Sequence, residues 1–444
     1  MKASDFGPEF LWGVAVAAAQ IEGAAFDGGK GPSIWDTFAA RSGKTRKGAV
    51  PTVACDFYHR YKEDIAAVKM LGFGVFRFSI SWPRIFPDGR GPANQEGLLF
   101  YHRVIDECLE QGLTPLVTLY HWDLPDALER EGGWTAYGIN EAFNAFVQRC
   151  AVEYGYKVKY WIVLNEPFGY TSLGYMLGMH APGKTGLGNF FAAVHHTALA
   201  QADGARLLRT EVSQACIGTT FSCSKILPYT SSANDEMAAR RIDCLMNRLF
   251  VEPVLGMGYP TADWELLERF SIRFATWRLT ERLRFDFDFI GLQNYFPLTV
   301  RYNPLVPVIQ AWEVKARSRK RPHTAMGWEV NGNQFAAIIR QFAAYPNIPP
   351  IMITENGAAY ADKLVNGKIH DAERIAFFKE YLQALLALKQ EGLPITGYLV
   401  WTLMDNFEWA EGYQARFGLL YTDFKTGDRH MKDSAHWWKG FLKS

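Results

Sequence analysis

Eight short apolar runs recur along this chain, each separated from the next by a longer, largely amphipathic stretch. They are FLWGVAVA (10–17), VFRFSIS (75–81), TPLVTLYH (114–121), VKYWIVLNE (158–166), ACIGTTF (215–221), FDFIGLQNY (287–295), PIMITEN (350–356) and ITGYLVW (395–401). The gaps are too long for hairpin loops, which take roughly two to five residues. Strands joined instead through helical crossovers run parallel. Four of the intervening segments carry clear helical periodicity, and they close on Gly72, Gly112, Gly155 and Gly392, the residue favoured just past a helix end.

Eight such units, with strands apolar enough to be buried on both faces, predict an α/β fold closed into a (β/α)₈ (TIM) barrel. An open doubly wound sheet would carry a glycine-rich phosphate turn after its first strand, and LWGVAVAAAQ has none. No Pro-, Gly- or Ser-rich linker divides the 444 residues, so a single catalytic domain over 1–444 is expected. The excess length falls in residues 22–54, 222–280, 296–330 and 402–432, expected as long βα loops around the active-site face.

A formal net charge of +1 argues against nucleic acid or an anionic membrane as partner. The basic run KARSRKRPH (315–323) reads as a solvated loop. Six cysteines without CxxC or metal-ligand spacing read as buried thiols of a reducing compartment. The start MKASDFGPEFLWG lacks the pattern of a secretory leader, and no apolar stretch is long enough for a membrane span. The expectation is a cytoplasmic protein.

The chemistry gathers where the apolar runs stop. Gln20 and Glu22 follow the first run and Arg77 lies within the second. His121 and Trp122 mark the third, Asn165 and Glu166 the fourth. Asn294 and Tyr295 end the sixth, Glu355 lies near the end of the seventh, and Trp401 ends the eighth. In a barrel these would converge on one mouth. Burying so many polar groups is costly unless they pair or meet a polar ligand. A sugar, dense in hydroxyls yet with apolar faces, suits polar groups set among 14 Trp, 20 Tyr and 31 Phe. Two carboxylates across such a mouth, Glu166 and Glu355, are what glycoside hydrolysis requires.

The segments FLWGVAVAAAQIEGA, YHRYKEDI, FRFSISWPRI, TLYHWDLP, LNEP, HAPG, NYF, ITENG and WTLMDNFEWAEGY, in this order, resemble glycoside hydrolase family 1, the β-glucosidase family, over nearly the whole chain. The resemblance implies a retaining exo-β-glycosidase, a β-glucosidase, acting on small β-glycosides or short oligosaccharides without metal or cofactor. It implies Glu166 as acid/base, Glu355 as nucleophile, and Arg77 and Tyr295 as partners that hold the nucleophile ionised. Gln20, His121, Asn165, Asn294, Trp401, Glu408 and Trp409 match sugar-binding positions, and Trp328 and Phe417 match the aglycone side.

Alternatives within the resemblance are a 6-phospho-β-glycosidase, a β-galactosidase or β-fucosidase, and a transglycosidase; a non-catalytic sugar-binding protein would have lost one of the acids. Three positions depart from the family pattern. Ala19 stands where a tyrosine is usual, Phe57 where a histidine is usual, and VNGNQF follows MGWE, which bears on the shape of the aglycone entrance. Glu411 is expected to add negative charge beside Glu408, and Gly357 to let the chain turn away from the sugar.

Overall fold

Each of the eight apolar runs forms a strand in the computed structural model, which describes residues 1–262, 264–274 and 281–444. The strands are β1 (Leu11–Ala15), β2 (Val75–Ser79), β3 (Thr114–Tyr120), β4 (Tyr160–Asn165), β5 (Cys216–Ser222), β6 (Phe289–Gln293), β7 (Ile351–Asn356) and β8 (Ile395–Trp401). Every strand pairs in parallel with its neighbours in sequence, and β1 pairs with β8 to close the barrel. Several runs are trimmed at their ends; after the first, the chain beyond Ala15 leaves the sheet for the short helix Ala18–Ile21 that carries Gln20.

Alternation along the strands sorts the interior into layers. Ala15, Val75, Leu116, Ile162, Phe289, Met352 and Leu399 belong to one buried apolar cluster, with Cys216 packed against it. Each of the eight strands thus supplies at least one side chain. Gly218 is required here, since a Cβ would lie 2.4 Å from the Phe289 ring. Two residues on in β2, β3 and β8 stand Arg77, Thr118 and Trp401. In β4 and β7 the register slips, between Ile162 and Asn165 and after Ile353. A bulge re-aims side chains by breaking the period of two. These two irregularities bring Asn165 and Glu355 into the polar layer.

The expected helices are present as Phe57–Leu71, Gln95–Glu110, Ile139–Tyr154 and Ala372–Gln390. Gly72, Gly112 and Gly392 adopt the left-handed conformation of a C-terminal cap. Gly155 does not: its φ is −59°, and a Cβ there would meet the Ala151 carbonyl and the Val212 side chain, so it permits close packing.

The long loops are structured. Ile226–Pro228, Leu298–Tyr302 and Ala311–Glu313 form a three-stranded sheet, and Leu420–Thr422 pairs with Arg429–Met431. Of the expected loop 222–280, residue 263 and residues 275–280 lie outside the described residues. In the basic run, Ala316 is buried and Arg319 pairs with Glu329 at 2.6 Å, while Lys315, Arg317, Lys320 and Arg321 are exposed. Cys55, Cys108, Cys150 and Cys223 are buried thiols. No helix of the described residues is long and apolar enough to cross a membrane.

Candidate active site

Glu355, second from the end of β7, is gripped on both oxygens. Arg77 Nη1 donates to its Oε1 at 2.6 Å and Gln293 Nε2 to the same oxygen at 2.9 Å. The Tyr295 hydroxyl donates to Oε2 at 2.6 Å. Burial raises the Glu355 carboxyl above the ordinary carboxylate range, and the charge of Arg77 with the Tyr295 hydroxyl pulls it back. Tyr295 is itself held well above the ordinary phenol value by burial and the Glu355 charge, so it remains a donor.

Glu166 ends β4 differently. Its backbone is left-handed (φ 45°) and Pro167 opens the next helix, Pro167–Tyr175, directly after it. Such a φ is strained for a residue with a Cβ and is held by surrounding structure, here in part by the bond from Glu166 N to the Thr220 carbonyl at 3.1 Å. Burial, then the negative charge of Glu355, drives the Glu166 carboxyl well above the ordinary range; Arg77 and the Ser222 hydroxyl oppose this. Burial thus lifts both acids, and the Glu355 charge lifts Glu166 further while Arg77 and the Tyr295 hydroxyl hold Glu355 down.

Asn165 is the hub behind them. Its Oδ1 accepts from Arg77 Nη2 (2.5 Å), Gln293 Nε2 (2.7 Å) and Thr220 Oγ1 (3.1 Å), which fixes the amide orientation. Its Nδ2 donates to His121 Nε2 at 3.0 Å. His121 then carries its proton on Nδ1, an atom with no hydrogen-bond partner among the described residues. Burial, helped by Arg77, keeps this imidazole neutral. Trp122 donates from Nε1 to the Asn165 carbonyl at 2.9 Å and stacks on Trp409 at 5.0 Å between ring centroids.

Gln20 reaches across the barrel seam to the opposite end of the chain. Its Nε2 donates to the Phe407 carbonyl at 3.0 Å, and to Asn406 Oδ1 and Glu408 Oε2 at 3.3 Å each. Gln20 Oε1 is buried without a partner among the described residues. Glu408 is pushed up to about 8 by burial and the Glu355 charge, eased by Gln20 and Trp401. Trp401 and Trp409 both lie close to His121, at 6.0 and 6.1 Å between ring centroids. On another side Trp328 stacks on Phe296 at 4.8 Å and approaches Tyr295 (5.5 Å) and Phe417 (5.9 Å).

Several expectations change. Asn294 donates from Nδ2 to the Cys223 carbonyl at 2.8 Å, so that amide proton braces the backbone; its Oδ1 finds no partner among the described residues. Glu22 lies in a separate buried cluster with Arg84 (2.9 Å) and Tyr101 (2.5 Å). The charge of Glu411 is countered by Arg46 at 2.9 Å. Gly357 does not show the positive φ of a left-handed turn; a Cβ there would sit 1.8 Å from the Trp401 carbonyl oxygen, so the glycine permits that approach. In VNGNQF, Asn331 caps the helix Gly332–Ala343 and the Gly332 N–H bonds Glu380 at 2.6 Å, which is work at a helix end. Phe57 is buried against Phe76, and Ala19 is partly buried.

Gln293, which bonds Glu355, was not among the expected residues. It is the last residue of β6 and the register partner of Glu355, and alternation from Phe289 through Gly291 points to it.

A model of the family described as glycosyl hydrolase family 1 matches residues 2–444. Beta-glucosidase A of Thermotoga maritima is 40% identical, with 100% of this chain and 99% of that protein covered. The 1,4-beta-D-glucan glucohydrolase of Thermotoga neapolitana is 39% identical over 99% of this chain and 98% of its own length. The solved structure of the beta-glucosidase from Thermotoga maritima in complex with deoxynojirimycin superposes with a TM-score of 0.93 at 40% identity, covering 98% of each chain. The chain belongs to glycosyl hydrolase family 1.

Proposed function

We propose that this protein is a retaining exo-β-glucosidase, one catalytic domain acting on small β-glucosides or short oligosaccharides in the cytoplasm. The observation that carries the reading is the unlike treatment of two buried acids: Glu355 is bonded on both oxygens by Arg77, Gln293 and Tyr295, while Glu166 is driven toward its protonated form. Unlike environments that push two carboxyls apart assign the acid and the nucleophile.

In the first step Glu166 gives its proton to the glycosidic oxygen as that bond breaks, and a Glu355 oxygen bonds to the anomeric carbon. In the second, Glu166 takes a proton from water, which attacks the same carbon and frees Glu355. Arg77 and Tyr295 favour the ionised form that attacks. The second amide proton of Asn165 serves the sugar's 2-hydroxyl, a contact that strengthens in the transition state. The partnerless Gln20 Oε1 and His121 Nδ1–H offer an acceptor and a donor to ring hydroxyls. Glu408 takes the 4- and 6-hydroxyls, Trp401 and Trp409 flank the ring, and Trp328 and Phe417 form the aglycone wall.

A 6-phosphate would add negative charge to a buried pocket where the Glu355 charge already helps push the Glu408 carboxyl up, so the phospho-glycosidase reading is disfavoured. A panel of aryl β-glycosides with gluco, galacto and fuco sugars, and with and without a 6-phosphate, tests the assignment. NMR of the first-formed sugar accompanies it. Unphosphorylated glucoside should lead, with the β anomer released first. Release of the α anomer would overturn the two-step mechanism, and equal rates on the 6-phosphate would overturn the Glu408 assignment.

A further inference from the structure

Behind the loop that carries Glu408 lies a buried ionic cluster with no part in the chemistry above. Three cations, Arg374, Arg416 and Lys432, meet three carboxylates, Asp362, Asp371 and Asp405. All are essentially buried except Arg416, whose side chain is 17% exposed. Lys432 Nζ bridges Asp362 and Asp405, the latter at 2.7 Å. Arg416 Nη1 donates to the other oxygen of Asp405 at 2.7 Å. Arg374 binds Asp371 and Asp362 and donates to the carbonyls of Ala358 (3.0 Å) and Arg416 (2.8 Å). Ser434 of the last helix closes the set by donating to Asp371.

The cluster ties together the parts of the site that the barrel strands do not hold. Asp405 lies three residues before Glu408. Its Oδ1 also accepts from the Gly418 N–H at 2.9 Å, directly beside Phe417. Ala358, held by Arg374, lies three residues after Glu355. A Cβ on Gly418 would sit 2.1 Å from the Asp405 nitrogen, so the two loop segments are pressed backbone to backbone. Charges paired three against three leave no net charge behind the site, and each member has a partner on another segment.

We infer that Asp405, with Lys432 and Arg416 as its counter-ions, is a positioning residue that sets Glu408 against the sugar's 6-hydroxyl and so determines recognition of that group. The inference rests on the proposed contact between Glu408 and the sugar. A purely structural role would lower activity on every substrate alike, whereas a positioning role lowers it most where the 6-hydroxyl is present.

The test is the ratio of kcat/KM for a nitrophenyl β-glucoside to that for its 6-deoxy analogue, with functional sites counted by burst titration. The unmodified protein should prefer the glucoside by roughly tenfold or more, the cost of leaving a buried hydrogen-bonding group unpaired. Asp405→Asn should collapse most of that preference, with the larger change in KM. Should Asp405→Asn not fold, Arg416→Gln, at the cluster's solvent edge, reads the same ratio. An unchanged ratio in the folded variant overturns the inference while leaving the Glu408 reading intact. A wild-type protein without preference overturns the Glu408 reading and this inference with it.

Discussion

The two acids end equivalent strands of one barrel, yet the protein treats them oppositely. Glu355 is bonded on both oxygens, and its donors come from β2, from the end of β6 and from the residue two beyond it. Glu166 sits on a strained turn, with the Ser222 hydroxyl as the hydrogen-bonding group beside its carboxyl. A nucleophile must stay ionised and keep one position, so a dense ring of donors serves it. An acid/base must gain and lose a proton in each turnover, and donors that favoured one form would hinder it. The difference teaches that role is set less by the residue type than by how many neighbours commit it to one protonation state.

The largest test removes the committed member. Glu355→Gly should lower kcat by about 10⁴-fold or more. Azide should restore turnover as the α-glycosyl azide, because the small anion enters from the vacated side. A β product would mean that the two roles are exchanged. Next, Glu166→Ala should slow substrates with poor leaving groups by roughly 10²- to 10⁴-fold, and far less those that need no proton. Azide should then give the β-glycosyl azide.

The pH profile sharpens the contrast. Glu166 must be protonated, so activity should fall as pH rises through its raised pKa; that basic limb should vanish in Glu166→Gln assayed with an activated substrate. A limb that stays in place would assign it to another group. Tyr295→Phe removes one charge-assisted donor and should cost about 10- to 100-fold in kcat/KM. Because that donor favours the ionised form, its loss raises the Glu355 pKa, and the acidic limb should move to higher pH. An unmoved acidic limb would show that Arg77 and Gln293 suffice.

The smallest expected effect concerns stability. A carboxyl whose folded pKa lies above its unfolded value destabilises the fold as pH rises through that window. Glu166→Gln should therefore raise Tm at pH above the window by about 1–3 °C, with no gain below the unfolded pKa. An equal change at both pH values would trace the effect to packing.

The barrel was legible because its strands are apolar on both faces and end in residues of unlike character, a pattern that survives without tertiary information. The acids were legible for the same reason: IMITENG and YWIVLNEP stop abruptly in polar groups. Gln293 was not, since its neighbours Asn294 and Tyr295 carry the more familiar motif and the alternation that points to Gln293 is short. The bulges that re-aim Asn165 and Glu355 leave no compositional trace, because they arise from pairing between strands. Nor could Arg46 be matched to Glu411 across 365 residues of chain, or Lys432 to Asp362 and Asp405. Such pairings are decided by where loops end up, and charged residues on loops look alike until they are placed.

The bond from Gln20 to Asn406 spans 386 residues, and β1 completes its pairing only with β8. A ribosome that adds about 5–20 residues per second releases the first strand well before the last exists. Until then the growing polypeptide has two open sheet edges and half of a sugar grip. Ring closure and the completion of the sugar pocket are therefore one late event in the birth of each molecule, and a chain cut short before β8 would possess both acids, Gln20, His121 and Asn165 but lack Trp401, Glu408 and Trp409.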